Sequence, residues 1–390
     1  MNDYDAKFRI GDITSTINEE ISDNWLLCNG DAIDKNKYPE LYNKTKNEFL
    51  TGRWKKLPLS FGYFIGLSIN KNYIIILEQK IYSNNYNDSY YEKPQSEIKM
   101  FYSTNISENF YECPNLLCHD DNIKIMNSDD LFLIFSIIKK DSSKNNAFLF
   151  NYAANPLDIL NTSYLELEDE NYNINYYGFI NNLFFICINT YKSSHILYSS
   201  YPKEWKKIKF YDNKSIAIIT SILYVNNKYI FFGIKRGKNE QEYHIWEFEN
   251  LESINYSKST KINFGFESYS YYPFNLFYKN GNYILSNGYH SKNGYLGPWI
   301  KPNNNMNLNF LNNLFLNFVN DNLYYGDTIE EIDKNKIKTN LISPIKNTYF
   351  GTNYFFVVEE SNQNIWYIKY GKCLPKINLA TGVNTFIKAK

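Results

Sequence analysis

The chain has 390 residues with 41 basic and 41 acidic side chains, so its formal net charge is zero. That balance, with no basic block interleaved with aromatics, argues against a nucleic-acid partner. A hydrophobic content of 44% with 18% aromatics excludes a disordered chain, and the length suffices for a large core or two domains.

The first five residues are too polar for a signal peptide. Residues 10–17 read as a strand and residues 18–24 as a polar connection. Trp25-Leu26-Leu27-Cys28-Asn29-Gly30 is a short apolar strand stopped at a tight turn, where Gly30 takes the positive φ that other residues resist. A second turn, residues 34–37, delivers a helix at Tyr38-Pro39-Glu40-Leu41. Pro39 stands at its first position, where the missing N–H costs nothing, and Glu40 is favoured by the helix dipole. The helix fades near Lys46, and residues 49–60, with Gly52, Trp54 and Pro58, read as the passage out of this region.

Gly11-Asp12-Ile13, the Trp25 to Gly30 strand and Tyr38-Pro39-Glu40-Leu41 follow one another in close order. Together they resemble the opening of the phage tail-collar domain, a family of short tail fibres and other distal tail proteins of bacteriophages and phage-derived bacteriocins. The family continues with a Leu-Pro segment and a closing strand. Leu57-Pro58-Leu59 is one candidate for that segment, and Leu374-Pro375-Lys376-Ile377-Asn378 is the other. The second is followed by the alternating Asn384-Thr385-Phe386-Ile387-Lys388-Ala389, which resembles the closing strand better. The resemblance therefore implies a small α+β domain split between residues 1–58 and 373–390, with Trp25, Cys28, Gly30, Tyr38, Pro39, Leu374 and Pro375 as its structural motif. It also implies other phage tail, baseplate or fibre proteins as partners and an oligomer, commonly a trimer. The implied location is a virion tail or tailocin particle, assembled in the bacterial cytoplasm and acting at the host surface.

From residue 61 the texture changes to short strands at close spacing. A turn rich in Asn, Asp, Lys or Gly, followed by an aromatic or Leu that begins an apolar strand, recurs seven times, starting at residues 73, 131, 183, 229, 283, 323 and 354. Around the third copy, residues 174–179, 183–189, 196–200 and 205–210 make four successive strands; residues 64–69, 73–79, 99–103 and 110–112 do the same around the first. Intervals of this size suit a four-stranded propeller blade. The expectation is a mainly β chain, with a seven-bladed β-propeller over residues 59–372 inserted into the split domain. Six blades result if the short last interval is half a blade. A β-sandwich or β-helix is the alternative architecture; a β-helix would show shorter, stricter repeats. A propeller brings its first and last strands together, so it inserts into another domain without tearing it.

No catalytic set emerges. The turns Tyr102-Ser103-Thr104-Asn105 and Tyr198-Ser199-Ser200-Tyr201-Pro202-Lys203-Glu204-Trp205 are faintly like the Asp-box hairpin of sialidases but lack its Asp and Gly. A sialidase grips the substrate carboxylate with three guanidinium groups. The chain has only Arg9, Arg53 and Arg236, one of them in the inserted region, which excludes that site. Acidic pairs such as Asp120-Asp121, Asp129-Asp130 and Glu330-Glu331 read as solvated loops. Cys113, Cys118 and His119 lack zinc spacing; His195, His244 and His290 stand singly among strand aromatics; no Gly-rich phosphate loop occurs. No metal and no cofactor is expected. Five scattered cysteines fit reduced thiols, and no apolar run is long enough for a membrane-spanning helix.

Aromatics on loops, with Asn and Asp beside them, can stack on sugar rings; they also suit strand core and blade-to-blade packing. The clusters are Tyr90-Tyr91, residues 269–272, Tyr289-His290 and residues 295–299. Tyr289, His290, Tyr295 and Trp299, in one Gly- and Asn-rich segment, are the carbohydrate- or receptor-binding candidates. The reading that follows is a phage or tailocin tail component that docks through the collar-like domain and presents a propeller to a bacterial surface glycan or protein. A surface-polysaccharide depolymerase using propeller carboxylates, and a purely structural tail protein, are the alternatives.

Overall fold

The computed structural model describes residues 10, 13–16, 25–27, 37–44, 48–57, 63–70, 72–81, 96–104, 106, 109–113, 123–139, 146–158, 161–167, 172–190, 193–210, 216–236, 241–252, 259–264, 274–292, 294–302, 306–311, 314–319, 322–326, 328–329, 332, 336–338, 345–350, 354–360, 363–372 and 384–388. By contacts the chain divides into two units, residues 1–60 with 340–390, and residues 61–339.

The chain opens with β1 (Ile13–Thr16), β2 (Trp25–Leu27), α1 (Pro39–Lys44) and β3 (Glu48–Lys56). Blade one is β4 (Tyr63–Ile69), β5 (Ile74–Ile81), β6 (Ser96–Ser103) and β7 (Tyr111–Glu112); blade two is β8 (Lys124–Asn127), β9 (Phe132–Lys139), β10 (Asn146–Ala153) and β11 (Asn161–Glu166). Blade three is β12 (Asn173–Ile180), β13 (Leu183–Asn189), β14 (Ser194–Ser199) and β15 (Lys206–Phe210); blade four is β16 (Ile216–Val225), β17 (Lys228–Arg236), β18 (Gln241–Phe248) and β19 (Thr260–Lys261). Blade five has three strands, β20 (Leu276–Lys279), β21 (Asn282–Leu285) and β22 (His290–Ser291); blade six is β23 (Leu308–Leu311), β24 (Leu314–Val319), β25 (Asn322–Gly326) and β26 (Lys336–Lys338). Blade seven is β27 (Ile345–Phe350), β28 (Tyr354–Glu359) and β29 (Ile365–Lys372), with β3 as its fourth strand, and β30 (Asn384–Lys388) ends the chain. Every pairing is antiparallel, and the arrangement is a seven-blade β-propeller.

The recurring sequence unit is largely the hairpin between the first and second strands of a blade. Asn181-Asn182, Asn226-Asn227 and Asn280-Gly281 all have positive φ at both positions. That is the two-residue turn whose twist matches the flanking strands, and Asn tolerates it at little cost. Blades one and two use a wider turn closed by a side chain: Asn70 Oδ1 accepts from Asn72 N and Tyr73 N, both at 2.9 Å, and Ser128 Oγ accepts from Leu131 N at 3.0 Å. Six of the seven copies thus open a second strand. The copy at residue 323 instead lies on β25, the third strand of blade six, whose second strand is β24. The short last interval comes from that offset and not from half a blade.

The reading of residues 49–60 as a passage out of the first region also needs correction. β3 pairs with β29, Trp366 opposite Lys56 and Lys372 opposite Glu48, and Leu57 N continues to Ile365 O at 2.9 Å. Its Trp54 is buried edge-on to Phe355 at 5.9 Å. An earlier part of the chain therefore completes the last blade. At the outer ends, β30 lies between β1 and β2, with Ile387 opposite both Ile13 and Leu26. Trp25 and Leu41 are buried, and Pro39 begins α1.

Within residues 61–339, first strands lie side by side, β4 against β8, β8 against β12, β12 against β16 and β16 against β20. Bulges at Phe64/Gly66, Ile174/Tyr176 and Ile219/Ser221 increase the twist of these strands. The bulge in β16 turns Thr220 Oγ1 to Phe274 O and Ser221 Oγ to Leu276 N, both at 2.8 Å, which ties blade four to blade five. Among the described residues no helix is long and apolar enough to cross a membrane.

Two glycines separate steric from conformational need. A Cβ on Gly233 would lie 2.1 Å from Ile218 O beside the bulge, whereas Gly281 has φ +81° and nothing within 4 Å. Gly233→Ala should destabilise by roughly 3 kcal/mol and Gly281→Ala by about 1–2 kcal/mol, measured by urea unfolding. Equal costs would contradict this packing of β16 on β17.

Candidate functional site

The segment between β22 and Ile300 stands where blade five would carry a fourth strand. His290 N donates to Ile300 O at 3.1 Å and Ile300 N returns to His290 O at 2.7 Å, closing a loop. Inside it Ser291 Oγ donates to Gly294 O at 2.6 Å, Gly294 and Gly297 have positive φ, and Gly297–Pro298 is cis; Gly288, just before it, also has positive φ. Trp299 Nε1 donates to Tyr295 O at 3.1 Å. Tyr289, Tyr295 and Trp299 pack on the core between blades four and five, Tyr295 edge-on to Tyr283 at 5.6 Å and Trp299 edge-on to Phe264 at 5.0 Å. Burial, with Glu247 nearby, pushes the Tyr295 phenol up to about 12. Its exposed large hydrophobic side chains are Leu296 at 64% and Ile300 at 46%. Three of the four binding candidates thus pack together around one core. Tyr90, Tyr91 and residues 269–272 lie outside the described residues, as do Cys28, Gly30, Leu374 and Pro375.

The fourth candidate, His290, faces a different neighbourhood. It lines a cavity of about 110 Å³ with Lys279, Asn280, Asn282, Ile284 and Lys292 of blade five and Phe315, Thr328 and Ile329 of blade six. Lys279 and His290 are buried at 9% and 7% exposure. Lys279 Nζ stands 5.4 Å over the Phe315 ring, a cation–π contact that holds the long side chain against the apolar wall. Asn282 Nδ2 donates to Asn280 O across the hairpin at 3.3 Å, and His290 Nδ1 is 3.4 Å from Gly288 O. The described wall therefore combines two lysines, a histidine, two carboxamides and a hydroxyl. Asp327, Glu330 and Glu331 flank Thr328 and Ile329 in sequence and lie outside the described residues.

Two further polar pairs open third strands. In blade three Ser193 Oγ is 3.0 Å from His195 Nε2 and 3.2 Å from Thr190 Oγ1, and Thr190 N donates to Ser193 O at 2.7 Å. The resemblance to a nucleophile–base pair is superficial, because both residues are buried and Ser193 is hydrogen-bonded back to Thr190. In blade four His244 Nε2 is 3.2 Å from Glu242 Oε2, and Lys261 Nζ is 2.5 Å from Glu242 Oε1. His244 Nδ1 is buried without a partner. Residues two apart on a strand share a face, so Ser193-x-His195 and Glu242-x-His244 are visible in the sequence once strand starts are known.

Cys118 and His119 lie outside the described residues, whereas Cys113 and Cys187 are buried free thiols. Burial pushes the Cys113 thiol up to about 12, with Glu112 adding to it, and burial raises Cys187 as well, so neither is a thiolate at neutral pH. In the Asp-box-like turn Ser199 Oγ bonds to the backbone of Tyr201 and Glu204, while Trp205 stacks on Phe150 of blade two at 4.5 Å. Among the described residues no group of three or more His, Cys, Asp or Glu is placed to hold a metal ion.

No protein-family model matches the chain, and no curated protein sequence matches it. Among solved structures it is similar to the β-propeller domain of the Trilobed protease from Pyrococcus furiosus, with 11% identity, 82% of this chain and 98% of that chain covered, and a TM-score of 0.48. It is also similar to a Penicillium chrysogenum α-L-arabinanase complexed with arabinobiose, with 8% identity, 83% and 98% covered, and a TM-score of 0.44. Likeness at such identity concerns the fold alone.

Hydrogen bonds from Lys261 and His244 hold the Glu242 carboxyl below its ordinary 4.5. A carboxyl depressed in the folded state stabilises fully above its unfolded value and loses that contribution as pH falls through the folded one. Glu242→Gln should therefore lower the thermal midpoint at pH 7 by a degree or two at most, since the group is part-exposed, and the gap should close as pH falls below the ordinary carboxylate range. A gap that stays constant from pH 7 to pH 3 would contradict the ion pair.

Proposed function

We propose that this protein is a distal tail component of a phage or tailocin. It docks on other tail, baseplate or fibre proteins through a small domain built from its two ends, the chain before β3 and residues 373–390, and presents the propeller to the bacterial surface. The observation that carries this reading is the sheet β1–β30–β2. Ile13, the last residue of Gly-Asp-Ile, lies opposite Ile387, and Trp25-Leu26-Leu27 lie opposite Lys388, Ile387 and Phe386. The two opening strands of the tail-collar resemblance and the strand like that family's closing strand are thus hydrogen-bonded neighbours, though more than 350 residues apart in sequence. β3, outside that sheet, marks where the docking half hands over to blade seven.

Surface binding is supported by a scaffold whose strands are joined by loops at both ends of each blade, where recognition residues concentrate on rigid folds. Individually weak contacts suffice, because several copies on one particle engage together. The test is to incubate labelled full-length protein with cells of the host bacterium, pellet the cells, and assay the supernatant for new reducing ends. Co-sedimentation without sugar release is the expected result. Protein left entirely in the supernatant would contradict surface binding and favour a purely structural tail role; steady release of reducing ends would favour a depolymerase.

A further inference from the structure

The geometry points to the rim between blades four and five as a recognition site for an organic ammonium group carried on a surface glycan, held by the rings of Tyr278, Tyr283 and Tyr295 and the carboxylate of Glu247. This rests on the cell-surface reading of function. Tyr278 and Tyr283 lie opposite each other across the β20–β21 hairpin, their ring centroids 4.9 Å apart at 56°. Tyr295 stands edge-on to Tyr283 at 5.6 Å and 90°, so consecutive rings turn sharply against one another. Tyr278 and Tyr295 are half-buried, which leaves part of each ring open to solvent. The Tyr295 hydroxyl is hydrogen-bonded to the Glu247 side chain, and this brings the carboxylate to the rings. Glu247 is exposed and projects from β18 on the same face as Tyr243 and Ile245, towards blade five. Among the described residues no lysine, arginine or histidine pairs with it.

Two features select the same sign of charge. Aromatic faces are negative and attract an ammonium, whose methyl or methylene groups also cover apolar ring surface. A carboxylate beside them adds Coulombic attraction for a cation and repels anions. Burial, with Glu247 adding to it, pushes the phenols of Tyr283 and Tyr295 up to about 12, so both are uncharged at neutral pH and a ligand meets the carboxylate as the charge of the site. The cradle is also set before anything binds. Positive φ at both Asn280 and Gly281 fixes the hairpin that pairs Tyr278 with Tyr283, while Trp299 Nε1, donating to Tyr295 O at 3.1 Å, holds the loop that carries Tyr295. Little further ordering of these rings is needed when a ligand arrives.

The test uses full-length protein and two pairs of soluble probes, each an ammonium compound with an uncharged analogue: choline with the alcohol in which tert-butyl replaces trimethylammonium, and glucosamine with N-acetylglucosamine. Binding is measured by isothermal titration calorimetry. The wild type should bind choline or glucosamine, and the uncharged member of that pair about tenfold more weakly or not at all. Binding of choline identifies a quaternary ammonium as the recognised group, and binding of glucosamine an amino sugar. Glu247→Gln, at an exposed position, should weaken that binding about fivefold while circular dichroism and the thermal midpoint stay unchanged. Tyr278→Leu, which removes one ring and keeps the position apolar, should weaken it to a similar degree; if that variant does not fold, Glu247→Gln decides alone. Binding of neither ammonium compound, equal binding of the uncharged analogue, or equal binding by wild type and a folded variant would overturn the assignment. Cell co-sedimentation run in parallel keeps the two readings separable: cells bound but both ammonium compounds ignored removes this site alone, whereas no binding to cells removes the surface function itself.

Discussion

Blades two, three and four depend on one constraint: their second strands are apolar on both faces, and each face must be covered by a different neighbour. On β13, Phe184 and Ile186 enter the core shared with blade two, while Phe185 and Cys187 enter the core shared with blade four. On β9, Phe132 and Ile134 face blade one and Leu133 and Phe135 face blade three; on β17, Phe231 faces blade three and Phe232 blade five. All eight of these Phe, Leu and Ile side chains that are named on β9 and β17, or as Phe184 and Phe185, are fully buried. At about 1.5–3 kcal/mol for each large side chain taken out of water, a blade alone forfeits half of that gain, so blades stack.

The same constraint explains what the sequence reveals. A strand buried on both faces reads as a continuous apolar run, and the Asn-rich turn before it is a hairpin signal, so the runs at residues 73, 131, 183, 229, 283 and 354 were legible as one recurring element. β3 reads as a connection because Gly52 lies within it and Pro58 follows it in sequence, and its partner β29 lies more than 300 residues away. In blade six both Leu314–Val319 and Asn322–Gly326 are apolar runs preceded by Asn or Asp in the sequence, so the pattern alone does not say which is the second strand.

The candidate site was less legible for a related reason. Tyr289, Tyr295 and Trp299 have the composition of a sugar platform, but composition does not say which way a ring faces, and here the rings fill the edge of a blade that has three strands. The pocket basics Lys279, His290 and Lys292 are ordinary in sequence. They become a group only because the β20–β21 hairpin and β22 bring them to one place beside Phe315. The functional reading accordingly rests on a motif resemblance whose strands meet in one sheet.

The two-sided burial of second strands is tested most directly by native-state hydrogen exchange resolved to single strands. The account predicts that amides of β9, β13 and β17 exchange last and together, near the rate of global unfolding, while β7, β15 and β19 exchange through local opening. Exchange of the second strands at the rate of the outer ones, or earlier, would contradict it.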